Sequence, residues 1–327
     1  MSVSSFSAIK QYLSLNEYLM PDLIARKICK KIGAPDILQQ LGSLSSSDLS
    51  SLLMAVYEQR AAQLSAASLL QHYQQNSFAQ PADTDMILML EKELEILRYL
   101  QQHHYYPLEL SPVGQFGSCA AVGTVSQKKI ISAIRHTEVM ADATNALALH
   151  MAGQRKASGF NHEILRYSTV HRHIRATRPP VKGYTPHFKI ACMVAAGKDT
   201  GDYAFELNSL KEQLLHLYHM LTSIFTASQV SVKLMPRGGY NGDGLLTRIQ
   251  ELCATLPMTT TLARHIAENN YYKGVQFKMY IQPRQGPEME IADGGFTDWT
   301  QQLSGNRKER CLISGMGLSL LVKFFNT

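Results

Sequence analysis

The side chains best able to do chemistry fall in one basic run, HRHIRATRPPVK, from His171 to Lys182. His171 and His173, one residue apart, would share a face of a strand and could present two imidazoles to a metal ion. No third ligand lies at a recognisable spacing, and Arg172, Arg175 and Arg178 crowd the pair. The expectation is therefore a solvated or phosphate-facing basic strand, with no metal site. Binding of nucleic acid through the same run would want interleaved aromatics and a larger charge excess than the chain carries, so tRNA is not an expected partner. No P-loop, GxGxxG after a strand, HExxH or GxSxG occurs, and Gly315-Met316-Gly317 is too short for a phosphate loop.

The elements that must position such residues divide by texture. The first eighty or so residues read as helical. Ser47 or Asp48 would cap a helix on which Leu49, Leu52, Leu53, Val56, Tyr57, Ala61 and Leu64 recur at helical spacing, predicting a buried face. Polar QQNSFAQPADTD, Gln74 to Asp85, is the expected linker, closing an N-terminal helical domain over 1–82. A helix from Met86 to His103 carries Ile87, Leu90, Leu94, Leu97 and Leu100 on one face. Beyond it, Phe188–Ala196, Val230–Met235 and Gly274–Ile281 read as strands, and Ser209–Phe225 as a helix. The order, helical first and mixed later, predicts an α+β fold.

Composition narrows the class without naming a chemistry. At 327 residues, 45% hydrophobic and 18% charged, the chain can bury a core unaided. Mean hydropathy is −0.13 and no apolar run is long enough to span a bilayer. No secretory signal opens the sequence, and five scattered cysteines without a CxxC argue for reduced, mostly buried thiols, so a cytoplasmic protein without membrane contact is expected. The net charge of +6 is compatible with phosphate-bearing ligands.

Five segments in order resemble the core of class II aminoacyl-tRNA synthetases, the histidyl branch in particular. ILRYLQQHHYYPLELSPVGQFGS resembles motif 1, where a helix leads to a strand with a proline, here Pro112, that builds the family's dimer interface. MADATNALALHMA resembles the segment that binds the substrate amino group and implies that role for Asp142 and Thr144; Asp142 could equally cap the helix that DATN opens. TVHRHIRATRPPVKGYTPHFKIACMVAAG resembles motif 2, with Arg175 matching the catalytic arginine on the ATP α-phosphate and acyl group, and Phe188 the ring that stacks on adenine. NNYYKGVQFKMYI resembles the tyrosine-pair segment, implying substrate contact by Tyr271 and Tyr272. DGGFTDWTQQL and CLISGMGLSLLVKFF resemble the Gly-Gly turn and motif 3. The resemblance implies residues 83–327 as a catalytic-core domain: a six- or seven-stranded antiparallel sheet flanked by helices, in a homodimer.

The departures bear on function. Thr177 stands for the family's adenine-reading glutamate, and Leu320 for the arginine on the γ-phosphate; Arg307, Lys308 or Arg310 could substitute. Ile190, Val194 and Ala267 replace histidine-reading polar groups, implying a more apolar amino acid, and Phe296-Thr297 replaces Arg-Tyr. The chain stops after motif 3, so no anticodon-binding domain is expected. Two expectations follow: a regulatory paralogue binding an amino acid and acting on a partner enzyme, as the histidyl-synthetase-like subunit of ATP phosphoribosyltransferase does, or an ATP- and Mg2+-dependent ligase adenylating an amino acid other than histidine for a carrier.

Overall fold

The computed structural model describes residues 23–159, 163–176, 185–239, 242–263, 271–283 and 287–325. The chain divides into two compact units: residues up to Leu64 with Ile134–His136, and Ser65–Ala133 with Thr137–Thr327. The stretch expected as a linker, with the helix before it, therefore belongs to the larger unit.

The smaller unit holds α1 (23–31), α2 (Ile37–Gly42) and α3 (Ser46–Ala62). The cap of α3 is Ser45, whose Oγ accepts from the Asp48 N–H at 3.1 Å, two residues before the earlier of the two expected caps. The face expected to be buried is not: Leu52, Val56 and Tyr57 are exposed, and no residue of α3 is buried. At 100° per residue the expected residues do share one side of the helix, but none of them is buried among the described residues.

The larger unit is built on a sheet of eight strands in the order β1-β4-β5-β10-β9-β8-β6-β7. They are β1 (Tyr106–Pro107), β4 (Leu165–Ile174), β5 (His187–Lys198), β6 (Val230–Pro236), β7 (Thr259–Leu262), β8 (Lys273–Ile281), β9 (Met289–Thr297) and β10 (Glu309–Met316). Only the edge pairs β1–β4 and β6–β7 are parallel. A two-stranded ribbon, β2 (Val113–Gln115) and β3 (Thr137–Val139), stands apart. The architecture is thus α+β with a mostly antiparallel sheet, with one strand more than the upper expectation.

β5 shows how the sheet makes two cores. Along it Ala191, Met193 and Ala195 face one cluster, while Cys192, Val194 and Ala196 face the other, because successive side chains alternate. The first cluster takes in α5 (Met86–Gln102) through Met89, Ile96 and Leu100, α8 (Ala204–His219) through Leu210, Leu214 and Leu217, and α11 (Leu318–Phe324) through Leu318 and Leu321. Ile87, Leu90 and Leu94 of α5, expected on the buried face with Leu100, turn outward and are exposed. The second cluster takes in α7 (Ala143–Ala157) through Leu147 and Met151, and α10 (Trp299–Ser304) through Trp299. α4 (Ala66–Gln75), α6 (Ser118–Ala121) and α9 (Gly242–Cys253) complete the set. The helix expected over Ser209–Phe225 is α8 followed by a wider turn at Met220–Ile224.

The glycine pair expected as a turn lies inside β9. A Cβ on Gly294 would come within 2.5 Å of the Ile313 carbonyl oxygen, and one on Gly295 within 2.7 Å of the Val275 carbonyl oxygen. Close approach of β9 to its neighbours, not chain reversal, is what requires glycine here.

Candidate functional site

On the face of the sheet carrying α7, a cavity of about 580 Å3 opens between β4, β5, β9, β10 and the N-terminus of α7. Asp142, Thr144, Arg175, Tyr271 and Tyr272, drawn from three distant parts of the sequence, all line it. A second space of about 330 Å3 adjoins it, sharing Arg175, Ile190, Glu290 and Asp293, and is walled by Phe188, Leu320 and Lys323. Residues 82–84, at the end of the expected linker, form part of that wall. They are tethered by the Gln80 carbonyl, 2.7 Å from the His187 Nε2.

Asp142 serves both readings at once. It is the N-cap of α7, its Oδ1 accepting from the Thr144 N–H at 3.0 Å, the Thr144 hydroxyl at 2.6 Å and the Asn145 N–H at 3.4 Å. Its Oδ2 accepts from the Tyr271 hydroxyl at 2.5 Å. Burial pushes the carboxyl up, but the hydrogen bonds from Thr144 and Tyr271, with the charges of His173 and Arg175, outweigh it and hold Asp142 below the usual carboxylate range. The group is therefore an anion facing the cavity.

Tyr271 and Tyr272 point at different carboxylates. Tyr272 donates to Asp293 Oδ1 at 2.8 Å, and the two rings meet edge to face at 4.7 Å. Burial, reinforced by Asp142 and Asp293, raises both phenols well above their ordinary value, so both stay protonated donors. Tyr271 also packs edge-on to buried Trp299, with centroids 5.1 Å apart.

Arg175 places its guanidinium 5.6 Å from the centre of the Phe188 ring, a cation–π contact at the junction of the two spaces. His173, two residues earlier on the same face, is not the solvated residue expected of a basic strand. It is buried, and its Nε2 accepts from the Ala143 N–H at 3.1 Å, which leaves the proton on Nδ1. Burial, against the pull of Asp142, lowers its pKa to about 4, so it is neutral at pH 7. Its Nδ1 has no hydrogen-bond partner among the described residues.

Of the replaced positions, Ile190 lines both spaces, and Val194 is buried in the cluster with Tyr272 and Trp299. Thr177 and Ala267 lie outside the described residues. The cations expected to cover for Leu320 are not in its cavity: Arg310 is held by Asp199 at 2.6 Å and Glu206 at 2.9 Å, and neither Arg307 nor Lys308 lines that space. The nearby cation is Lys323, one helical turn beyond Leu320 on α11, a relation that i,i+3 spacing could have flagged. Lys189, which also lines that space, is ion-paired with Glu93.

Sequence reasoning also missed Gln276, Glu290 and Asp293, which give the larger cavity a polar wall. The Gln276 amide nitrogen donates to both Asp293 oxygens at 3.1 Å, and its oxygen accepts from the Arg237 Nε at 3.1 Å. Cys119 and Cys192 line the cavity too, but burial pushes both thiols up, so neither is poised as a nucleophile. No group of three metal-ligating side chains occurs among the described residues.

No protein-family model matches the sequence, and no curated protein matches it. Solved structures do. The S. aureus histidyl-tRNA synthetase superposes with a TM-score of 0.56 at 11% identity, over 73% of this chain and 65% of that one. An ATP phosphoribosyltransferase regulatory subunit/histidyl-tRNA synthetase from Bacillus halodurans gives 0.54 at 13% identity, over 73% and 78%. A histidine–tRNA ligase subunit from Alicyclobacillus acidocaldarius gives 0.53 at 12% identity, over 76% and 95%. The fold is that of the histidyl-tRNA synthetase core. At these identities the likeness speaks for the fold, and the chain spans somewhat under two thirds of the S. aureus enzyme. On this synthetase-like fold, β4 and β5 hold the segment that resembles motif 2, and β10 with α11 the segment that resembles motif 3.

Proposed function

We propose that this chain is a synthetase-like paralogue that binds an amino acid and regulates a partner, without forming an aminoacyl adenylate. The observation that carries the reading is the contrast between the two spaces. The larger keeps a fixed anion, Asp142, beside Arg175, so an amino acid's ammonium and carboxylate both find complementary groups. The smaller presents Leu320 where the resemblance puts the γ-phosphate clamp, and an apolar side chain neutralises no developing charge.

ATP fits this site in part. Phe188 and Arg175 would hold adenine and the α-phosphate, and the nucleotide would supply the phosphoanhydride for activation; no group of three metal-ligating side chains occurs among the described residues. Lys323 at the edge of the smaller space favours the second reading, an adenylating ligase with an altered phosphate clamp. The homodimer is proposed through α5, whose Ile87, Leu90 and Leu94 form an exposed apolar stripe at i, i+3, i+7. The regulated partner of the Bacillus halodurans protein is a precedent for a partner enzyme, and a cytoplasmic location accompanies the reading.

Pyrophosphate exchange over the common amino acids with ATP and magnesium, run beside thermal melts, separates the two. The regulatory reading expects a rise in Tm with one class of amino acid and no exchange. Exchange that Arg175→Ala abolishes and Lys323→Ala weakens would establish the ligase instead. A protein that responds to no amino acid in either assay would retire both.

A further inference from the structure

We propose that the larger cavity selects an amino acid whose side chain carries a cation of its own, a diamino acid, and that Asp293 reads this second charge. The proposal rests on the amino-acid-binding reading above and names its ligand class.

Two neighbouring tyrosines serve two carboxylates in one cavity, and the protein treats the pair unequally. Asp142 is compensated from within: three donors at the start of α7 and the Tyr271 hydroxyl, with Arg175 close by. Asp293 receives only neutral donors, Tyr272 and Gln276, and forms no ion pair among the described residues. Two cations beside it, Lys278 and Arg237, are engaged elsewhere. Lys278, its partner across β8, is bound to Glu290 at 2.7 Å. Arg237 goes to the Gln276 oxygen, which turns that amide's N–H groups towards Asp293. Burial, with the charge of Glu290, raises the Asp293 carboxyl above its ordinary value, the opposite of Asp142. A part-buried anion with neutral donors and open cavity beside it is a place where an incoming cation is worth most.

The space beside Asp293 is built in. Its cross-strand neighbour on β10 is Gly315, and a Cβ there would come within 3.1 Å of Ile190. With glycine the cavity stays open between the two aspartates. Its wall there is Ile190, Cys192 and Ile313, apolar surface suited to a methylene stem between two charged ends. Beside Asp142, Arg175 offers a guanidinium, a donor for a ligand carboxylate. The cavity therefore has three poles: an anion for the α-ammonium, a guanidinium for the carboxylate, and a second anion in the same lining. The apolar replacements at Ile190 and Val194 then line the stem and do not define the whole ligand.

Calorimetry and thermal melts on the full chain test this with lysine, ornithine and 2,4-diaminobutyrate against norleucine, norvaline and histidine. At least one diamino acid is expected to bind roughly tenfold or more tighter than the uncharged chain of matching length, the size of a lost charge-assisted hydrogen bond. Asp293→Asn is expected to remove that preference without lowering the Tm of the unliganded protein. Asp293→Glu keeps the charge but reaches one methylene further, so it is expected to shift the preference to a shorter diamino acid; this second variant and the ligand series on the parent decide the matter where the first fails to fold. Equal binding of norleucine and lysine, with some amino acid still bound, overturns this inference alone. No binding by any amino acid overturns the underlying reading as well. Stabilisation by magnesium alone that Asp293→Asn abolishes would overturn the proposal in favour of a cation site.

Discussion

Neutral histidines in apolar surroundings make this protein sensitive to acid. In the unfolded chain an imidazole takes up its proton near 6.5, while folded His173 and His216 do so only near about 4. Burial is the main cause for both; His103, His219 and Arg166 add like charge around His216. Between those values the unfolded chain binds more protons, so stability rises with pH across the window and is lost on acidification, by an amount on the order of 3 kcal/mol for each group. The urea midpoint is expected to fall steadily from pH 6.5 to 4.5, and His216→Gln to flatten that fall without touching the cavity; a midpoint independent of pH would show that folding leaves these imidazoles unshifted. Gly294 supplies a second check at this scale. Gly294→Ala drives a methyl into Phe277 and the Ile313 carbonyl, and should cost roughly 1–3 kcal/mol in a denaturant titration.

Elements are held in place by a few buried polar ties. Arg155 on α7 is paired with Glu309 at the start of β10, both side chains almost wholly buried, and donates to the Glu163 carbonyl at 2.7 Å. Arg155→Leu leaves the Glu309 carboxylate buried without its partner and is expected to lower stability by about 3–5 kcal/mol. Pairing the change with Glu309→Leu should recover a good part of that loss, as two melts and a double-mutant cycle would read. Which elements were legible in the sequence follows from how each is stabilised. β5 announces itself as a short apolar run because both its faces are covered from Ala191 to Gly197, whereas β6 alternates, with Val230, Val232 and Leu234 buried and Lys233 exposed. α3 misleads because helical spacing of apolar residues predicts a face but not what covers it, and no residue of α3 is buried. Asp142, Arg175 and the tyrosines could be found because they sit in local patterns. Asp293 and Gln276 could not: their significance lies in the pairing of β8 with β9, where Phe277 faces Gly294 and Lys278 faces Asp293, and no local spacing encodes a register.

At the scale of the molecule, the outward stripe of α5 is the surface on which assembly can be tested. Leu90→Lys with Leu94→Lys should convert a dimer to a monomer in light scattering while leaving the Tm of a dilute sample within about 1 kcal/mol equivalent of the parent, since exposed positions contribute little to the fold itself. The strand order has a further consequence, in time rather than in space. β5 is bordered by β4 on one side and β10 on the other, and β10 is translated only after β6, β7, β8 and β9. At about 5–20 residues per second, the ribosome needs on the order of ten seconds to pass from Lys198 to Glu309. Throughout that interval the nascent β4–β5 hairpin exposes a long, apolar, unpaired edge, a ready template for another chain. Until β10 emerges, β5 therefore waits with one of its two edges unpaired.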